Sequence, residues 1–225
     1  MRSILFGAAV SVAVLTQAGC AQEGPALDRE QLLEDLRILA ADDMEGREVA
    51  TEGNARARAY IIERLEGIGV GPVNGDYEHS FTFSLPRNPD EDITGVNILA
   101  QIEGTSDSER TLVVTAHYDH EGMRDGQIWN GADDNASGVA SVLAIAADFA
   151  ANPPEHDVIF AFVDAEERGL QGARAFVANP PIPVENITFN LNMDMVAMSQ
   201  DRILWAVGTY HYPFLVPMVE EVAAR

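Results

Sequence analysis

Imidazole and carboxylate side chains follow three short segments of the sequence that are predicted to be strands, each close to the point where the segment ends. They are His117 and Asp119 after the first segment, Glu166 and Glu167 after the second, and Asp194 after the third. Imidazole with carboxylate is a ligand set for Zn²⁺ or a similar divalent ion. These residues are therefore candidates for a metal site.

The three segments are predicted strands, at residues 111–116, 158–163 and 187–192. The first is short, β-branched and bounded by polar residues, and the second is apolar throughout. A continuous apolar run of this length is typical of a central strand that is covered on both faces. The carboxyl ends of strands in an open α/β sheet are where such folds place their sites. The sequence therefore predicts that the candidate residues converge there.

A further acidic pair, Asp133 and Asp134, lies between the first and second strands. It precedes an Ala-rich, periodic segment at residues 138–151 that predicts a helix. Other helices are predicted at residues 28–41, 51–68, 169–177 and 213–224, and other strands at residues 81–83, 96–102 and 203–207. Residues 71–92 otherwise look rich in turns. The alternation predicts an α/β fold with a mixed, largely parallel central sheet and helices on both faces.

Four motifs, in order, resemble those of the family-28 zinc aminopeptidases. They are AHYD at residues 116–119, GADDNASG at 131–138, EERGLQG at 166–172 and NMDM at 192–195. The resemblance implies a zinc-exopeptidase catalytic domain over residues 26–225, in which two zinc ions share a bridging carboxylate and a hydroxide. It also implies a cis peptide bond between Asp134 and Asn135.

The resemblance assigns a role to each candidate residue. His117 and Asp194 would bind one zinc ion, Glu167 the other, and Asp134 would bridge the two. Asp119 would orient the imidazole of His117, a common arrangement at zinc sites. Glu166 would be the general base, and Asp133 a structural neighbour.

One ligand of the family pattern is not found in this sequence. The second zinc ion of the family is completed by a His late in the chain, and only His211 follows the fourth motif. We interpret His211 as structural or substrate-side, His120 as a surface-loop residue, and His79 and His156 as ordinary loop residues. The sequence therefore resembles a copy that is incomplete at its C-terminus.

Composition narrows the class of partner and the compartment. The 225 residues include 36 acidic and 14 basic ones, a net charge of -22, which argues against nucleic acid or anionic membrane surfaces as partners.

Residues 1–21 have the basic start and apolar core of a signal peptide. The single cysteine, Cys20, is either a lipid-anchor site or removed on cleavage, and a thiol enzyme is excluded. We expect an extracytoplasmic bacterial protein, periplasmic, attached to the outer membrane or secreted.

The expected activity is release of N-terminal residues from a peptide substrate by metal-dependent hydrolysis. A carboxypeptidase or glutaminyl cyclase of the same fold is an alternative, and a non-catalytic binding domain or inactive fragment is another. The sequence contains no indication of oligomeric state.

Overall fold

A computed structural model describes residues 27–201 and 203–224 of the chain. The predicted signal peptide and Cys20 lie outside these residues. The helices are α1 (Arg29–Leu39), α2 (Glu52–Ile68), α3 (Gly138–Ala151), α4 (Gln171–Ala178) and α5 (Val216–Ala223). The strands are β1 (Gly71–Pro72), β2 (Glu78–Leu85), β3 (Asn88–Ile102), β4 (Thr111–His117), β5 (Gly122–Arg124), β6 (Gln127–Trp129), β7 (Asp157–Val163) and β8 (Ile187–Asn192).

Six strands form one mixed sheet in the order β1, β3, β7, β4, β8, with β2 also paired to β3. The pairs of β4 with β7 and with β8 are parallel. The pairs that β3 makes with β1, β2 and β7 are antiparallel. The predicted mixed sheet is thus confirmed, with its parallel part confined to β7, β4 and β8. The strands β5 and β6 form a separate hairpin.

Helices cover both faces of the sheet, as predicted. One face carries the larger core, in which Leu39 of α1, Ile61 of α2 and Leu143 of α3 are fully buried against Phe160 of β7. The other face carries a smaller cluster with Phe176 of α4. Every residue of β7 after Asp157 is buried, because the strand is central and has a helix layer on each side.

The first two helices begin at capping residues that the sequence provides. The carboxylate of Asp28 accepts a hydrogen bond from the amide of Gln31 at 3.0 Å, and the hydroxyl of Thr51 accepts one from Asn54 at 3.3 Å. Each bond satisfies an amide that the helix itself leaves free. The second helix ends at Gly69, whose φ of 80° is left-handed and suits glycine. These two helices frame the turn at Asp42–Arg47.

Two sequence-based predictions of strands need correction. The segment expected to be rich in turns forms a long antiparallel hairpin of β2 and β3. The exposed start of β3 is polar, so no hydrophobic alternation marked it. The strand predicted at residues 203–207 is absent, and its described residues are exposed. An apolar run without a neighbouring strand to bond to does not form a ladder.

Candidate metal centre

The candidate ligands lie together at one edge of the sheet, because β4, β7 and β8 are parallel neighbours. Their carboxyl ends therefore point to the same side. His117 is the last residue of β4, and Asp194 lies two residues beyond β8. Glu166 and Glu167 follow β7 after a short turn. The structure thus brings together side chains that the sequence separates by up to 77 positions.

A first ligand group consists of His117, Asp134 and Asp194. The Nε2 atom of His117 lies 3.0 Å from Oδ1 of Asp134 and 3.7 Å from Oδ1 of Asp194. One ligand atom from each of the three residues lies within 4.8 Å of the other two. The imidazole is buried, whereas both carboxylates are partly open to solvent, so an ion can reach the group from outside.

A second ligand group consists of His120, Asp134 and Glu167, whose ligand atoms also lie within 4.8 Å of one another. Nδ1 of His120 is 2.7 Å from Oε1 of Glu167. The two atoms are buried, and neither makes a hydrogen bond. The expectation that His120 is a surface-loop residue is wrong, because only 9% of the residue is exposed.

Asp134 belongs to both groups and lies on an irregular backbone. The segment Ala132–Ser137 departs from helical geometry at Asp134 and Asn135, and the peptide bond between these two residues is cis, as the resemblance implied. Two imidazoles and three carboxylates form the donor set, which suits Zn²⁺. Because the buried atoms of His120 and Glu167 also lack hydrogen-bond partners, the residues present fit a centre for a divalent metal ion.

Asp119 connects the strand that carries His117 to the pair of glutamates. Its carboxylate is fully buried and accepts hydrogen bonds from the amides of Glu166 and Glu167, at 3.0 and 3.3 Å. The ring of His117 contacts the same residue, with Nδ1 3.1 Å from the backbone oxygen and 3.5 Å from Oδ1. Asp119 therefore fixes the position of both glutamates as well as the orientation of the imidazole.

The site concentrates negative charge around His117. Burial by itself would lower the pKa of this imidazole, but its contacts with Asp119, Asp134 and Asp194 outweigh burial and raise the pKa to about 12. The same contact with His117 lowers the pKa of Asp134. The group therefore favours a cation, and a metal ion would take the place of the proton.

The other titratable groups respond mainly to burial. Burial raises the pKa of Glu166 and of Glu167, and nearby carboxylates raise both pKa values further. Burial lowers the pKa of His120. Burial also raises the pKa of Asp164, at the end of β7, to about 6. The carboxylate of Asp164 accepts hydrogen bonds from the side chain of Asn54 in α2 and from the amide of Val96 in β3. These two bonds join α2 to the sheet.

Arg47 supports the site and was not singled out by the sequence. Its guanidinium is fully buried and donates to the backbone oxygens of Tyr118, Asn130 and Gly131, at 2.8, 2.7 and 2.9 Å, and also to that of Leu39. The oxygens of Tyr118, Asn130 and Gly131 lie on the segments that carry His117 and Asp134. Arg47 follows three acidic residues in the sequence, a context typical of an exposed turn, so the sequence did not indicate that it is buried.

Asn135 and Asp133 attach the ligand loop to the chain around Asp194. The side chain of Asn135 donates to the oxygen of Met193 at 3.0 Å and accepts from the amide of Met195 at 3.3 Å. The carboxylate of Asp133 accepts from the amides of Ala197 and Met198, both at 3.0 Å. These bonds fix Asp134 and Asp194 relative to each other. The structural role of Asp133 was expected from the sequence, whereas that of Asn135 was not.

The remaining histidines and the acidic turn lie outside both ligand groups. His211 is exposed, and its ring makes an edge contact with Tyr210. Asp42 and Asp43 are exposed as well, and Glu45 forms an ion pair with Arg56 at 2.9 Å. Nothing in the described chain brings these residues to the metal centre.

The model of peptidase family M28 matches residues 97–225 of the chain. A vacuolar membrane protease of Schizosaccharomyces japonicus is 34% identical over 160 residues, which are 68% of this chain and 18% of that protein. The chain therefore spans only a small part of this relative. The fold is similar to a Zn-dependent exopeptidase of Parabacteroides distasonis, at 19% identity and a TM-score of 0.64, over 76% of this chain and 63% of that one. The fold is also similar to a glutaminyl cyclase of Porphyromonas gingivalis, at 18% identity and a TM-score of 0.74. That match covers 87% of this chain and 70% of the cyclase chain.

These comparisons overturn one prediction. The chain was expected to be a bacterial periplasmic, outer-membrane or secreted protein, and this is wrong: the relatives found include several fungal proteins named vacuolar membrane protease. A basic start and a short apolar run do not distinguish one membrane system from another. Within the described residues, no helix has both the length and the hydrophobicity needed to cross a bilayer.

Proposed function

The chain belongs to peptidase family M28, and from this premise we propose that it is a metal-dependent exopeptidase, more narrowly an aminopeptidase with two zinc ions. The observation that carries the proposal is the presence of Asp134 in two ligand groups at one sheet edge. A carboxylate in that position can bridge two ions. Glu166 lies at the same edge and belongs to neither group, so it is free for proton transfer.

Under this proposal the ligands divide between the two ions. His117 and Asp194 would hold one ion, Glu167 would hold the other, and Asp134 would be shared by both. When bound, zinc supplies Lewis-acid chemistry, which polarises the scissile carbonyl and makes water a better nucleophile.

Glu166 would then act as the general base and afterwards return the proton to the leaving amine. Two features support this role. Its backbone amide is fixed by Asp119, and burial raises the pKa of its carboxyl, which brings it closer to neutral pH. A base of this kind is most useful when its pKa lies near the working pH, because it must both accept and release a proton.

Glu166 favours an N-terminal over a C-terminal peptide end. The α-amino group of a peptide is largely cationic at neutral pH, and the carboxylate of Glu166, which belongs to neither ligand group, would attract it. The same carboxylate would repel a terminal carboxylate. An open recess of about 330 Å³ reaches Glu167 from the turn at Leu85 and Arg87, which provides an approach for a peptide.

The test compares Glu166→Gln with the exposed control Glu185→Gln, on zinc-loaded protein. We expect Glu166→Gln to lower turnover of short peptides by about 10² to 10⁴-fold, the usual contribution of a general base. Zinc content should stay unchanged, because Glu166 is in neither ligand group. Unchanged turnover in Glu166→Gln would mean that the mechanism is wrong.

Mass spectrometry of the products separates the related activities. An aminopeptidase shortens a peptide by its first residue, a carboxypeptidase by its last, and a glutaminyl cyclase removes ammonia from an N-terminal glutamine without shortening it. Peptides with a blocked N-terminus should resist cleavage. Loss of C-terminal residues or of ammonia alone would replace the aminopeptidase proposal by the corresponding alternative.

A further inference from the structure

We propose that Asp164 is a positioning residue for Glu166: its buried carboxylate fixes the turn that carries the general base from the end of β7 to the metal centre. The inference rests on the proposed function, in which Glu166 moves the proton. Asp164 is only 1% exposed and belongs to neither ligand group of the described chain. It is therefore out of reach of a substrate and acts through the residues bonded to it.

The carboxylate of Asp164 is saturated by uncharged donors. Oδ1 accepts from the amide of Ala165 at 2.8 Å and from the side chain of Asn54 at 2.9 Å. Oδ2 accepts from the amide of Val96 at 2.9 Å. Within the described chain, no cationic side chain contributes to its environment. A buried carboxylate without a counter-ion is costly unless its donors are accurately placed, so the positions of all three donors are constrained.

The backbone around Asp164 is bonded on every side. Its amide donates to Oδ1 of Asn97 at 3.0 Å, and its carbonyl accepts from the amide of Gly172 at 2.9 Å. The peptide unit between Asp164 and Ala165 is thus held at its oxygen and at its nitrogen. Ala165 has a φ of 53°, a left-handed conformation that a residue with a Cβ atom keeps only where its surroundings enforce it. The bonds of Asp164 supply this constraint directly before Glu166.

Two buried carboxylates together hold three consecutive amides of this turn. Asp119 accepts from the amides of Glu166 and Glu167, and Asp164 accepts from that of Ala165. The bonds to Asp119 fix the two glutamates but not the direction in which the chain leaves β7, which is set one residue earlier. Loss of the Asp164 carboxylate should therefore displace the base without removing a ligand atom from the centre.

The experiment measures kcat and KM of the full chain for a short peptide at saturating zinc, in Asp164→Ala, Asp164→Asn and the control Asp157→Ala. Asp157 lies at the opposite end of β7, where its carboxylate also accepts from a backbone amide, that of Gly104 at 2.7 Å. We expect Asp164→Ala to lower kcat by about 10 to 100-fold with KM unchanged, because the base is misplaced while substrate binding is kept. Asp157→Ala should keep the parent kcat.

The conservative variant separates positioning from general stability. In Asp164→Asn the carboxamide oxygen can keep the bonds to Ala165 and Asn54, which leaves the amide of Val96 without its acceptor. This variant should recover most of the lost kcat. Amide hydrogen exchange, followed by nuclear magnetic resonance, should show the Ala165 amide still protected and the Val96 amide exchanging faster.

Three results would overturn the assignment. These are an unchanged kcat in folded Asp164→Ala, an equal loss in Asp157→Ala, and a loss of kcat in Asp164→Asn while the amide of Ala165 stays protected. The third result is available even if Asp164→Ala does not fold. A parent chain that cleaves no peptide at saturating zinc would contradict the proposed function instead, which distinguishes that failure from the failure of the role of Asp164.

Discussion

At the scale of single residues, Arg47 holds together the backbone segments that carry His117 and Asp134. Its guanidinium donates to carbonyls of Tyr118, Asn130 and Gly131. Burial lowers its pKa to about 10, so it remains charged at neutral pH. We expect Arg47→Lys to lower the free energy of unfolding by at least about 2 kcal/mol, because one ammonium cannot reach all these oxygens and leaves some unpaired. Chemical denaturation measures the change.

Arg37→Lys is the matched control for this prediction. Arg37 is 69% exposed in its side chain and lies 3.6 Å from Glu34, a surface ion pair of small value. Its replacement should change stability by less than about 0.5 kcal/mol. Equal losses in the two variants would show that the effect comes from lysine itself and not from the buried carbonyls.

The site was predictable only where the type and order of the residues carry the chemistry. His117, Asp134, Glu167 and Asp194 follow strands or stand in motifs, so sequence alone indicated them. The burial of Arg47 and the position of His120 depend on segments that meet only after folding, and no local pattern records this. The roles of these residues as ligands or base remain predictions.

At the scale of elements, the ligand loop depends on a close approach at Gly131. A methyl group there would collide with Asp134 and with the ring of His120, and the φ of 60° adds strain for any other residue. We therefore expect Gly131→Ala to weaken binding of both metal ions, because Asp134 belongs to both groups. Zinc titration in competition with a chelator measures the affinities.

Gly126→Ala separates the collision from the backbone strain. Gly126 also has a positive φ, of 75°, but no atom lies within 4 Å of the added Cβ. This variant should lose about 1 kcal/mol of stability and keep its metal affinity. If both alanine variants bound metal equally, the contact between Gly131 and His120 would have no part in forming the site.

Elements with a strong hydrophobic pattern were predictable, and those that depend on partners were not. The helices α1, α2 and α3 have apolar residues at helical spacing, and β7 is apolar throughout after Asp157. The start of β3 is polar and exposed, and it is a strand only because β2 pairs with it. The apolar run at residues 203–207 shows the converse, since strand composition alone produced no strand there.

At the scale of the whole molecule, the net charge of -22 and the acidic metal centre oppose folding in different ways. General repulsion is spread over the surface and is reduced by any salt. Repulsion at the centre is local, and only an ion that binds there removes it. The two contributions should therefore separate when the chain is melted with and without zinc at fixed ionic strength.

We expect NaCl to raise the melting temperature gradually, and zinc to raise it further at concentrations far too low for screening. Free zinc at 100 times its dissociation constant stabilises the folded chain by about 2.7 kcal/mol, and a chelator should reverse this. His117→Ala should lose the part of the zinc effect that depends on the first ligand group and keep the salt effect, because the surface charge is unchanged. Magnesium at the same concentration should do little, since it prefers oxygen ligands. A response to zinc that is unchanged in His117→Ala would mean that the first ligand group takes no part in holding the ion.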